Sequence, residues 1–138
     1  MSYNWADRRK HERVYFLPTD DVTGSISLLD RQESITVPVL NMSLGGLYFT
    51  IKRSNSLSFK ANNTIVLNEI KTAGTFDLTA NIMLEVRRVQ NHNVFEFVGY
   101  GCEFVEMNEQ TANKLARFLK WELAKVVVDQ TRVVFDQR

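Results

Sequence analysis

Residues 76–87 read Phe-Asp-Leu-Thr-Ala-Asn-Ile-Met-Leu-Glu-Val-Arg. Phe76, Leu78, Ala80, Ile82, Leu84 and Val86 fall on one parity, and Asp77, Thr79, Asn81, Met83, Glu85 and Arg87 on the other. Successive side chains of an extended chain point to opposite faces, so this alternation defines a strand with one face in a core and one in water. Half-burial of this kind belongs to antiparallel sheet; a strand covered on both faces would be apolar throughout. The same alternation recurs on both sides. Gln90-Asn91-His92-Asn93 reads as a turn. The return strand has Phe95 and Phe97 on one parity and Tyr100, Cys102 and Phe104 on the other, so a β-bulge is expected at Gly99. Upstream, Ile65-Val66-Leu67 is a strand, Leu47, Phe49 and Ile51 alternate with Tyr48, Thr50 and Lys52, and Val22, Gly24, Ile26 and Leu28 alternate with Thr23, Ser25 and Ser27. Ile35, Val37 and Val39 alternate until the pattern slips at Val39-Leu40. Pro38 lacks an N–H, which puts that strand at an edge or beside a bulge. Val14-Tyr15-Phe16 is a shorter β-prone run, closed by Pro18.

One helix follows the strands. Asn108 is a good N-cap and Glu109 suits the first turn. Ala112, Leu115, Leu119, Leu123 and Val126 form an apolar stripe, with Phe118 and Trp121 beside it. The fold class is therefore mainly β: about six antiparallel strands forming a closed or nearly closed β-barrel, with one C-terminal amphipathic helix packed on it. The chain divides into an arm (1–13), a barrel (14–107), a helix (about 108–127) and a tail (128–138), all within one domain spanning 1–138. In the tail, Val133-Val134-Phe135 leaves helix extension and a short strand both open.

The chain of 138 residues suits one core, and 44% hydrophobic against 24% charged residues excludes a disordered polymer. A net charge of +1 argues against a general nucleic-acid coat. Charge is nonetheless concentrated: Arg8, Arg9, Lys10 and Arg13 stand against Glu12 alone in the segment 8–13. Such a cluster on a near-neutral protein suits capture of a small anion. Cys102 is the sole cysteine, which excludes an internal disulfide and a cysteine zinc site and fits a reducing cytoplasm. The first residues lack the apolar run of a signal peptide, and no stretch approaches the ~20 apolar residues of a membrane span. His11 and His92 lie in polar segments and read as solvated. No G-x-S-x-G, H-E-x-x-H or Walker pattern occurs, so a protein without catalytic activity, metal or cofactor is expected.

Two short motifs carry the remaining chemistry. Arg8-Arg9-Lys10-His11-Glu12-Arg13 contains R-x-x-x-R with an extra arginine in front. A guanidinium fork matches two acceptor pairs, phosphate oxygens and the O6/N7 edge of guanine. Taken alone, the segment also reads as a solvated basic tail. Asn41-Met42-Ser43-Leu44-Gly45-Gly46 contains N-x-S-x-x-G. In an extended chain Asn41 and Ser43 project to one side and present an amide and a hydroxyl together, while the glycines permit a tight turn or close approach. Taken alone, this segment also reads as a plain turn between strands.

In this order, with strand-like sequence between them, the two motifs resemble the signatures of the PilZ domain, a small bacterial β-barrel that binds cyclic di-GMP. Gly101-Cys102-Glu103-Phe104 followed by a capped helix is similar to the close of that family's barrel, so the resemblance covers roughly Asp7 to Val127. It implies a six-stranded antiparallel barrel of split-barrel type. It further implies a ligand site of Arg8, Arg9, Arg13, Asn41, Ser43 and Gly46. There the arginines would hold guanine edges and phosphates, Asn41 and Ser43 would touch the ligand from the barrel surface, and Gly46 would shape the turn. Arg8 ahead of R-x-x-x-R is similar to members that take two stacked ligands per chain. Family members commonly cover a guanine face with a bulky side chain from a barrel strand; Val86 and Arg88 lie in that region. The implied protein is a cytoplasmic receptor, monomeric or homodimeric, whose arm orders over the barrel when cyclic di-GMP binds and so changes its surface for a protein effector. It would bind no nucleic-acid polymer and insert in no membrane. Two rivals are a PilZ-like adaptor of pilus or flagellar machinery that binds protein only, and a barrel for single-stranded nucleic acid, against which the balanced charge counts.

Overall fold

The structure of the chain, a computed structural model, describes residues 12–28, 33–55, 57–74, 76–92 and 95–136, with side chains through Lys125. Among the described residues seven strands precede one α-helix: β1 (Val14–Tyr15), β2 (Thr23–Leu28), β3 (Ser34–Met42), β4 (Gly46–Lys52), β5 (Thr64–Lys71), β6 (Asp77–Gln90), β7 (Phe97–Glu106) and α1 (Glu109–Asp136). Every pairing is antiparallel, in the order β3-β2-β5-β6-β7-β4, and β3 pairs with β4 to close the barrel. The expected six-stranded barrel is therefore complete. β1 is an added two-residue strand laid along the end of β3, with Val14 opposite Met42 and Tyr15 opposite Asn41.

The core is the inward parity of these strands. Ile26, Met42, Leu47, Phe49, Ile65, Leu67, Ile82, Leu84, Val86 and Phe104 are all fully buried. Phe49 stacks on Tyr100 with ring centroids 5.3 Å apart, and Phe59 meets both rings edge-on. The Tyr100 hydroxyl is not stranded there, because it accepts the Phe59 N–H at 3.3 Å.

Of the register shifts in the barrel, those on β3 and at the end of β6 decide which residues face out beside β4 and β7. The β3–β4 register shifts between Val39 and Asn41, leaving Leu40 unopposed. An extra residue reverses the parity of everything beyond it. Val37 and Val39 point inward before the bulge and Met42 after it, which turns Asn41 outward. The slip read from Val39-Leu40 is this bulge. Pro38 fits beside it. The Val39 N–H donates to Val22, so the Pro38 nitrogen faces the opposite side, where pairing with β4 begins only at Val39. The second bulge corrects an expectation. β7 pairs with β4 without interruption from Phe97 to Glu103, so no bulge lies at Gly99. Val98, Tyr100, Cys102 and Phe104 share the inward parity, while Phe95 and Phe97 are exposed aromatics that imitate a core pattern. The irregularity is on β6, where Arg87 is the extra residue between the pairs Val86–Cys102 and Arg88–Gly101. It turns Arg88 and Gln90 outward.

α1 starts as expected. The Thr111 N–H donates to Asn108 Oδ1 at 2.7 Å, a cap of about 1 kcal/mol. Ala112, Leu115, Phe118 and Leu119 bury its apolar face. Phe118 stacks on Phe76 at 4.1 Å and meets Phe16 at 6.1 Å. The helix does not stop near residue 127 but runs to Asp136, so the tail resolves as helix. β-branched residues reduce helix propensity by only tenths of a kcal/mol each, and no Gly or Pro interrupts the run. Among the described residues no helix is long and apolar enough to cross a membrane.

Candidate functional site

The bulges and the strand register set up one transverse row on the outside of the barrel. Tyr15 on β1 pairs with Asn41 on β3, Asn41 with Tyr48 on β4, Tyr48 with Gly101 on β7, and Gly101 with Arg88 on β6. Arg13 reaches back from the start of β1, and its Nη1 donates to Asn41 Oδ1 at 2.6 Å. With Arg87 and Gln90 these residues line a surface cleft of about 700 Å³, within the usual range of ligand pockets.

Its lining is cationic and aromatic. Three guanidiniums, Arg13, Arg87 and Arg88, face the cleft, and its lining includes no carboxylate among the described residues. Arg87 is already committed: Nε meets Glu103 at 2.7 Å and Nη1 meets Glu85 at 3.3 Å. That neutralises two carboxylates that pair directly across β6 and β7 and holds the Arg87 proton more firmly than usual, chiefly through the Glu103 hydrogen bond. Arg88 has no carboxylate partner among the described residues. Two tyrosines flank the arginines. Tyr15 is exposed, whereas Tyr48 lies half-buried over the outer face of β7. Glycines make room for it. A Cβ at Gly99 would collide with the Tyr48 hydroxyl, and one at Gly101 would touch its ring edge and Arg88. The Tyr48 hydroxyl donates to Gln90 Oε1. Burial pushes its proton affinity up, opposed by Arg88, so the phenol stays neutral and remains a donor.

The motif residues separate in role. Arg13 and Asn41 are together in the cleft. Ser43 does not share the Asn41 face, which corrects the expectation from extended spacing. Pairing of β3 with β4 ends at Met42–Leu47, and Ser43 is folded into the connecting turn, 1% exposed. Its N–H donates to Gly46 O and its Oγ accepts the Gly45 N–H at 3.0 Å. Gly46 provides the close approach that the motif's glycines allow, with no positive φ. It is where β4 presses on β7: an added Cβ would overlap the Cys102 carbonyl oxygen and lie 3.2 Å from Glu103 Cα. Val86 is wholly in the core and cannot cover a ligand, while Arg88 is in the cleft. Arg8 and Arg9 lie outside the described residues. Tyr15, Tyr48, Arg87 and Gln90 escaped the sequence reading. The alternation did place Tyr48 outward, but the glycines opposite it become meaningful only once the register is known.

A PilZ domain model matches residues 7–121. The chain belongs to the PilZ domain family. No curated protein sequence matches significantly. Solved structures share the fold at low identity. The inhibitor of motility MotI/DgrA of Bacillus subtilis is 22% identical with a TM-score of 0.63 over 88% of this chain and 52% of its own. The MrkH–c-di-GMP complex of K. pneumonia is 15% identical, TM-score 0.66, over 91% and 55%. The PilZ domain of Escherichia coli YcgR with c-di-GMP is 11% identical, TM-score 0.65, over 91% and 98%. The chain thus spans about half the length of MotI and MrkH and nearly all of the isolated YcgR domain.

Cys102 backs this PilZ site from the inward face of β7. Burial pushes its thiol up to about 12. At about pH 8 it stays protonated and shielded, so an aromatic disulfide reagent should label the native protein far more slowly than the denatured chain. Equal labelling rates would show that β7 opens freely beneath the cleft.

Proposed function

We propose that this PilZ domain, taken as one unit over 1–138, is a cytoplasmic bacterial receptor for cyclic di-GMP that acts without catalysis by changing its surface for a protein partner. The observation that carries the reading is the Arg13–Asn41 hydrogen bond, which joins the end of the R-x-x-x-R motif to the N-x-S-x-x-G strand end in a cleft lined, among the described residues, by no carboxylate. Arg13 and Arg88 offer forks to phosphate oxygens and to a guanine O6/N7 edge. Asn41 presents an amide to the same ligand. Tyr48, or Tyr15 across the row, supplies the flat surface for a guanine face. Ser43 and Gly46 fix the turn that aims Asn41 rather than touching the ligand. Arg8 and Arg9 complete the grip from the arm, and Arg8 provides for a second, stacked ligand. The solved complexes of the YcgR PilZ domain and of MrkH with c-di-GMP support the choice of ligand.

Calorimetric titration with cyclic di-GMP, GMP and a short oligonucleotide tests the reading. Cyclic di-GMP should bind with a stoichiometry approaching two per chain, and GMP and the oligonucleotide far more weakly. Tyr48→Ala removes a stacking surface of ~1–3 kcal/mol, so affinity should fall about five- to a hundredfold. A one-to-one isotherm would reject the stacked pair. No heat with cyclic di-GMP would reject the receptor in favour of an adaptor that binds protein only.

A further inference from the structure

A second cleft, of about 560 Å³, lies on another side of the barrel between α1, the turn Pro18–Asp20 and the β5–β6 connection. Its floor is apolar. Phe118, 5% exposed, stacks on the half-buried Phe76. Over that floor stands Trp121, 62% exposed, with Lys125 Nζ at 5.2 Å from its ring centroid. Lys114, Arg117, Trp121 and Lys125 follow one another at spacings of three and four, so they form one stripe along the helix rim. The charges on this rim are unequally satisfied. Lys125 is held by Asp20 at 3.6 Å and Glu122 at 3.8 Å. Lys114, Arg117 and the adjacent Lys120 have no carboxylate partner among the described residues, and the one unengaged carboxylate in the cleft is Asp77. An exposed tryptophan above a recessed aromatic floor, bordered by unpaired cations, is the arrangement of an interface anchor site.

We propose that this cleft docks a partner segment in which carboxylates flank one bulky apolar side chain. The apolar group fills the space over Phe76 and Phe118 beside Trp121, and the carboxylates meet Lys114 and Arg117. A flat anionic bilayer fits less well, because the apolar surface is recessed and Asp20 and Asp77 stand on the facing wall. The proposal rests in part on the receptor reading, since the same few residues join the two clefts. Arg13 bonds Asn41 in the first cleft, and three residues later Phe16 lies against Phe118 at the floor of the second. Cyclic di-GMP held by Arg13 therefore biases, through the run from Arg13 to Phe16, the surface the partner segment meets.

The test selects peptides from a random displayed library on the full chain, with counter-selection on Trp121→Ala. Selected peptides should be acidic around one aromatic or aliphatic residue. Their affinity, read by fluorescence anisotropy, should drop about tenfold or more for Trp121→Ala and for Lys114→Glu with Arg117→Glu, and should weaken with salt. Both variants should keep the wild-type circular dichroism and cyclic di-GMP affinity. Saturating cyclic di-GMP should change peptide affinity at least about fivefold. Failure to enrich peptides that depend on Trp121, or enrichment of basic ones, overturns the docking site. Capture of phosphatidylglycerol vesicles with the same dependence on these residues overturns it in favour of a membrane surface. Peptide affinity unmoved by bound cyclic di-GMP overturns the link between the clefts. Absence of cyclic di-GMP binding refutes the receptor reading, while the peptide results still decide the docking site.

Discussion

Arg13→Ala should weaken cyclic di-GMP binding about ten- to a hundredfold while leaving the barrel folded. The guanidinium donates to Asn41 Oδ1 at 2.6 Å and lines the cleft. Removing it deletes charge-assisted hydrogen bonds of ~1.5–3 kcal/mol to the ligand. The bond to Asn41 is a partly exposed one, and the Asn41 amide left behind can be hydrated. Arg13→Lys should recover little, because a point ammonium cannot make the two parallel bonds of a fork. Calorimetry and thermal melting on the same samples separate the outcomes. Wild-type affinity in Arg13→Ala would remove this cleft from consideration as the ligand site. A large drop in melting temperature would make the arginine a structural clamp on β3.

Gly46→Ala should be among the most destabilising single changes in the chain, although the glycine belongs to a motif read for ligand contact. The new methyl would overlap the Cys102 carbonyl oxygen on the neighbouring strand, and backbone cannot step aside as a side chain can. Relief requires prying β4 from β7 at the pair Gly46–Glu103. Overpacking of this kind costs about 3 kcal/mol or more, roughly a 10 °C fall in melting temperature for a domain of this size. Gly46 does not line the cleft, so the fraction that folds at low temperature should still bind cyclic di-GMP normally. An unchanged melting temperature would mean that the strands are not so closely apposed. Normal stability with lost binding would return Gly46 to the ligand surface.

These two residues show where reading from sequence reaches and where it stops. The barrel was legible because alternation is local: the burial of Leu78, Ile82, Leu84 and Val86 follows from parity alone. The helix start at Asn108 was legible for the same reason, since capping involves only the next three residues. Its end was not, because the valines of the last turns are compatible with either state. Within the site, Arg13 and Asn41 were legible as residue types matching a ligand chemistry. The bond between them and the row Tyr15–Asn41–Tyr48–Gly101–Arg88 were not, since a row across five strands depends on register between segments far apart in the chain. Phe95 and Phe97 misled because aromatic residues at alternate positions look the same whether they face a core or water. The bulge at Arg87 left a single trace, Val89, which packs against the core on the parity opposite to Val86; one residue is too little to define a slip.

The unopposed residues Leu40 and Arg87 give the barrel something like a reading frame. Loss of either one leaves plain alternation behind: Val39 in, Asn41 out and Met42 in on β3, and Val86 in, Arg88 out and Val89 in on β6. A regularly paired stretch has no such slack. Loss of one residue between Phe97 and Glu103 of β7 would exchange the inner and outer faces of all that follows in the strand. The cleft can therefore accept a single-residue deletion at its two bulges, but not along the strand that floors it.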